Sequence, residues 1–194
     1  MTAGGAVTRS GLLKGVLVGG AALAVGAGTA SAAPGERDLA WLRFGITVEY
    51  VSAAYYLRAR RAGGWTDRER RALERATAAE VAHRNAFRAK LLALGEPAIE
   101  PEDIEIELPD AAFASRTATI TLGRRLESLT QSAYLGAVSG IADPDLRRLF
   151  AQVCAAEAQQ LAYLTGLGGR ALTDPFPPVH GIETASEALA TWLP

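Results

Sequence analysis

Helical periodicity runs through most of this 194-residue chain, and six polar residues fall on or beside its apolar faces. Glu80 and His83 continue a stripe that reads Leu73, Ala76, Glu80, His83, Phe87, Leu91, Leu94. Glu157 and Gln160 do the same in Leu146, Leu149, Val153, Glu157, Gln160, Leu164. Glu49 stands seven residues after Leu42 and seven before Tyr56, two helical turns each way. Glu127 adjoins Leu126 and stands seven residues before Tyr134, at the border of its apolar face. A carboxylate carried into a core must be protonated, ion-paired or bound to a cation, because an isolated buried charge is very costly. Four carboxylates carry a charge that two divalent cations balance. Glu-x-x-His sets both side chains on one helix face, a turn apart, where both reach the same metal pair. An oxygen-rich donor set with few imidazoles suits iron or manganese better than structural zinc.

Each residue also has a plainer reading. Glu80 and His83 alone would make a solvated or mutually hydrogen-bonded pair. Glu127 has Arg124 and Arg125 beside it as ion-pair partners. Tyr56 and Tyr134 either line a site or pack in the core. Cys154, beside the last stripe, reads as a small buried thiol. The six arginines Arg68, Arg70, Arg71, Arg75, Arg84 and Arg88 make a solvated face interleaved with acids. Nothing links His180, in a Pro-rich loop, to the other candidates.

Four long helices must position these groups, and no stretch alternates like a strand. The first is expected from Glu36 to Ala62, stopping at Gly63-Gly64. The second opens with the capping box Thr66-x-x-Glu69 and ends at Gly95. The third runs from about Thr117 to Ser139, with Leu122, Leu126, Leu129 and Ala133 on its apolar face. The fourth starts at Asp143-Pro144-Asp145, an N-cap, a first-turn proline and an acid at the positive end of the helix dipole. It is expected to stop near Thr165, before Gly166. Short links pair helices one with two and three with four as antiparallel neighbours. Between the pairs, Glu96–Asp110 holds seven acids, no base and three prolines, and reads as a solvated crossover running to the other end of a bundle. After Ala171 comes a Pro-rich tail, 171–194, closing in a short docking helix capped by Thr184-x-x-Glu187 and carrying Leu189, Trp192 and Leu193.

Composition narrows the classes. The chain is 49% hydrophobic and 21% charged with a formal net charge of −1, so no global basic field points to nucleic acid. A single cysteine rules out an intramolecular disulfide and a multi-Cys metal cluster. Two histidines exclude a three-histidine site from one chain, so any metal must lean on carboxylates.

The ordered set Glu49, Glu80-x-x-His83, Glu127, Glu157-x-x-Gln160, with its long crossover after the second helix, resembles the ferritin-like di-iron carboxylate proteins. Leu126-Glu127, then Ala133-Tyr134-Leu135-Gly136-Ala137, then Glu157-Ala158-x-Gln160 is similar to exported bacterial ferritin-like domain proteins of the desiccation-related type. The resemblance spans roughly Asp38 to Leu164. It implies an all-α, up-down four-helix bundle over 36–170. It implies Glu49, Glu80, His83, Glu127 and Glu157 as metal-ligand positions for a di-iron centre with oxidase or peroxide-type redox chemistry, manganese being the other fitting metal. Gln160 stands where that pattern has a second histidine, and a carboxamide oxygen is the weaker ligand. The rival expectation is a metal-free, degenerate module with a structural or binding role in the cell envelope. Metal ions are the expected partners, and a homo-oligomer is compatible with the class.

The N-terminus reads as an export signal. Residues 1–35 hold no acid and only Arg9 and Lys14 as bases, and Gly15 to Gly35 is uncharged. Ala30-Ser31-Ala32 fits a small-x-small cleavage site, which makes 1–32 a cleaved signal peptide and the mature protein extracytoplasmic. Thr8–Lys14 is similar to a twin-arginine signal with Ser10 at the second arginine. The Gly-rich run would be a poor membrane anchor, so no span is expected in the mature chain.

Overall fold

A computed structural model describes residues 35–170 and 176–193. The expected signal peptide and its cleavage point lie outside the described residues. The described part is all-helical, with five α-helices and no strand. They are α1 (Glu36–Ala59), α2 (Asp67–Ala93), α3 (Arg116–Gly140), α4 (Pro144–Leu167) and α5 (Ile182–Leu189). α1 pairs with α2 and α3 with α4, and the two hairpins close on each other to form a four-helix bundle.

Local chemistry sets the helix ends. α2 starts on the expected capping box, with Thr66 Oγ1 accepting from Glu69 N at 3.2 Å and Glu69 Oε2 accepting from Thr66 N at 2.7 Å. Asp143 Oδ1 accepts from Leu146 N at 2.7 Å and starts α4. α1 stops three residues before the expected Ala62. There the chain tightens into a turn, and Trp65 Nε1 donates to Ala59 O at 2.7 Å, satisfying a terminal carbonyl. α4 runs past Gly166 to Leu167, and just beyond its cap Gly168 the chain turns left-handed at Gly169, φ +68°, a conformation that suits a residue without Cβ. A glycine weakens a helix without stopping it, and α4 is closed only where the backbone turns left-handed.

The crossover is solvated along most of its acids, as expected, but it is also tied to the bundle. Arg43 bonds Glu96 at 2.6 Å, Arg58 bonds Asp110 at 2.6 Å, and Arg88 bonds Glu100. Its own Ile104 and Leu108 are buried. Three of its seven acids are therefore tied to arginines of α1 and α2, and the segment is strapped along the bundle. Two 3-10 turns, Pro101–Asp103 and Asp110–Phe113, are its only helical pieces.

The tail docks as expected, but α5 begins at Ile182, two residues before the Thr184 cap read from the sequence. Trp192 falls in a terminal 3-10 turn, and Leu189 and Leu193 are fully buried. Approach to α3 requires Gly136: a Cβ there would sit 1.7 Å from the carbonyl oxygen of His180. The neighbouring bond, His180 N to Ser132 O at 3.0 Å, pins the segment to α3. His180 thus serves through its backbone.

The core is layered along the bundle axis. At one end Trp41, Phe44, Phe87, Tyr134 and Phe150 form an aromatic cluster, with Phe87 and Phe150 centroids 4.5 Å apart and Tyr134 and Phe150 5.2 Å apart. Towards the other end lie Tyr55 and Tyr56, 4.9 Å apart. The polar candidates sit between these layers.

Candidate metal centre

Each helix of the bundle carries one carboxylate into this middle layer. Glu49 on α1, Glu80 on α2, Glu127 on α3 and Glu157 on α4 are all fully buried. His83, one turn after Glu80, turns Nδ1 into the same space. Its distances are 3.0 Å to Glu157 Oε1, 3.6 Å to Glu49 Oε2 and 3.6 Å to Glu80 Oε2. Donor atoms of Glu49, Glu80, His83 and Glu157 all lie within 4.8 Å of one another. Glu127 stands on the Glu80 and Glu157 side of the group, in contact with Tyr56.

Almost nothing satisfies these atoms. Tyr134 Oη donates to Glu49 Oε1, and the other seven carboxylate oxygens have no hydrogen-bond partner. His83 Nδ1, the Tyr56 hydroxyl and both atoms of the Gln160 carboxamide are also buried without one. His83 Nδ1 stands 3.0 Å from Glu157 Oε1 without forming an aligned hydrogen bond. Donors about 2.1 Å from one cation, at right angles, stand about 3 Å apart, which matches this spacing. A well-packed core rarely leaves so many buried polar atoms orphaned. The donor set fits a metal.

Electrostatics tells the same story for the cation-free cluster. Burial, followed by the charge of Glu80, holds the Glu49 carboxyl well above the usual range. Burial, followed by Glu157 and Glu80, does the same to Glu127. Glu157 is pushed up to about 8 by burial and then by Glu80 and Glu49. Burial alone would lower His83, but contacts with Glu157, Glu49 and Glu80 outweigh it and push it up to about 12. Without a cation the cluster must hold protons to exist.

The structure therefore brings Glu49, Glu80, His83, Glu127 and Glu157 together. Gln160 lies one turn beyond Glu157 and lines a cavity of about 320 Å³ with Tyr56, Leu73, Ala76 and Tyr163. Glu127 makes no ion pair among the described residues. Arg124 donates instead to Thr165 Oγ1 at 3.3 Å, and Arg125 lies over Trp192. Cys154 is buried beside Gln131 O, as a small thiol would be.

The sequence leaves the role of one residue open and misses that of another. Tyr134 reads equally well as core, and no spacing rule joins it to Glu49 on another helix. Asp38 looks like a first-turn acid. In the fold it is buried and accepts from Ala142 N at 3.0 Å and Asp143 N at 2.9 Å, clamping the start of α4 to α1.

A bundle of this topology with one inward carboxylate per helix defines a class. The family model described as the ferritin-like domain matches residues 37–170, and the chain belongs to that family. No curated protein sequence matches it significantly.

Proposed function

We propose that this chain is an exported ferritin-like protein whose core holds a carboxylate-bridged pair of metal ions, iron first and manganese second. The observation that carries the reading is the convergence of four fully buried carboxylates and one imidazole with seven oxygens unpartnered. Glu49, Glu80, His83 and Glu157 would hold one metal. Glu127, Glu80 and Glu157, with Gln160 one turn further along α4, would hold the other. The four carboxylates match the charge of two divalent cations, and His83 adds a neutral donor. Iron bound there would supply one-electron chemistry towards oxygen or peroxide. Tyr134 orients Glu49, and the aromatic layer of Phe87, Tyr134 and Phe150 keeps water from that side. On the opposite side, small molecules would approach through the cavity that Tyr56 and Gln160 line. Export rests on the uncharged run and on Ala30-Ser31-Ala32.

Gln160 favours a second reading, a metal-free module with a structural or binding role. Elemental analysis of protein purified from its native compartment separates the two. The di-metal reading expects close to two metals per chain in the wild type and a large loss in Glu80→Ala. Equal, substoichiometric metal in both proteins counts against the site.

A further inference from the structure

At the surface, between the first half of α3 and the end of α4, lies a groove of about 820 Å³. Four arginines line it, Arg116, Arg124, Arg125 and Arg170, with the hydroxyls of Thr117 and Thr121, and no carboxylate does among the described residues. The chain as a whole is slightly acidic, so this gathering is not the spill-over of a basic protein. Like charges around one concavity repel, and the groove raises the local concentration of counter-ions.

Ordinary structural roles use only part of this charge. Arg116 pairs with Glu69 at 2.5 Å and donates to Leu167 O at 3.3 Å, which answers the negative end of α4. A helix end offers about half a charge, and three more guanidiniums exceed that need. Arg124, Arg125 and Arg170 have no acidic partner among the described residues. Their neighbours steady them instead. Arg124 Nε donates to Thr165 Oγ1 at 3.3 Å, and the Arg125 guanidinium lies 5.6 Å from the Trp192 ring, as that of Arg116 lies 5.3 Å from Trp65. A guanidinium set against a ring keeps N–H donors free at its edge, in the fork geometry that grips an oxyanion with two bonds. The volume falls in the roughly 300–1,000 Å³ range of small-molecule sites and exceeds what one tetrahedral oxyanion fills.

We propose that this arginine groove binds a small polyanion carrying linked phosphoryl groups, as in inorganic pyrophosphate or a nucleoside diphosphate. The site is separate from the metal centre and does not depend on it.

The test is calorimetric titration of the full chain with pyrophosphate, ADP and orthophosphate, in metal-free buffer because pyrophosphate chelates divalent cations. Pyrophosphate or ADP should bind, more tightly than orthophosphate, and the tighter of the two identifies the source. Binding should weaken as salt is raised. Losing one charge-assisted partner costs roughly tenfold or more. Arg170→Ala should show that loss, and the double variant Arg125→Ala/Arg170→Ala a larger one. Arg71→Ala, exposed on α2, should change nothing. Melting temperature without ligand checks folding, and Arg170→Ala alone carries the test if the double variant unfolds. Three results would each overturn the proposal: no binding of pyrophosphate or ADP to wild type, binding unchanged in Arg170→Ala, or equal weakening in Arg71→Ala.

Discussion

The hydroxyl of Tyr134 on α3 donates to Glu49 Oε1 on α1, joining two fully buried side chains 85 residues apart. This contact fixes one carboxylate oxygen and leaves Oε2 facing His83 at 3.6 Å. It orients the Glu49 head group from outside the donor set.

Tyr134→Phe removes that donor and keeps the ring among Phe87 and Phe150. Loss of an outer hydrogen-bond partner typically lowers metal affinity about 10–100-fold. The stability of the metal-free protein should fall by about 1–3 kcal/mol, because Glu49 Oε1 is left buried without a partner. Chelator competition gives the affinity and thermal melting the stability. Unchanged affinity would show that the Tyr134 contact does not position a metal ligand.

Gln160→His should tighten the second metal position by at least tenfold, since an imidazole is the stronger donor. Its melting temperature should rise more than that of wild type when ferrous iron or manganese is added, because a cation that binds only the folded state stabilises it by mass action. If neither protein melts later with metal, and the variant binds no more of it, the di-metal reading fails and only the fold remains.

Metal-free protein should lose stability as pH rises. Glu157, held near 8 against an ordinary 4.5, keeps a proton that the unfolded chain releases. Its contribution is fully present below about pH 4.5 and is lost as pH rises through 8. Glu49 and Glu127 act in the same direction. His83, raised to about 12 from 6.5, also contributes below its ordinary value and loses that contribution as pH climbs. The expected result is a lower melting temperature at pH 8 than at pH 6 without metal. Metal displaces these protons, so the rise in melting temperature on adding it should be larger at pH 8. The opposite order in metal-free protein would mean that the cluster is already charged and paired.

The export proposal makes its own prediction. The uncharged run ends at Ala30-Ser31-Ala32, so the mature chain should begin at Ala33. Intact mass measurement of the exported protein gives the answer, and a chain that retains Met1 rules the cleavage out.

The sequence by itself determined the helices and their inward faces. Caps such as Thr66 with Glu69, and stripes that continue through Glu80, His83 and Glu157, are written at spacings of three, four and seven residues. A helix turns such spacings into a common face without help from the rest of the chain. That is why the inward carboxylates Glu49, Glu80 and Glu157 are legible from spacing alone. What lies between helices is not. The pairing of Tyr134 with Glu49, the Asp38 clamp on α4, the strapping of crossover acids to Arg43, Arg58 and Arg88, and the arginine groove all join residues remote in sequence. Their distances depend on how far each helix slides and rotates against its neighbours, which side-chain packing decides. The same holds for the central question of the site. Spacing could place Glu127 on a border, between an ion pair with its neighbouring arginines and a place in the core. Only the packed bundle turned it fully inward, beside Glu80 and Glu157, and sent Arg124 and Arg125 to the surface groove.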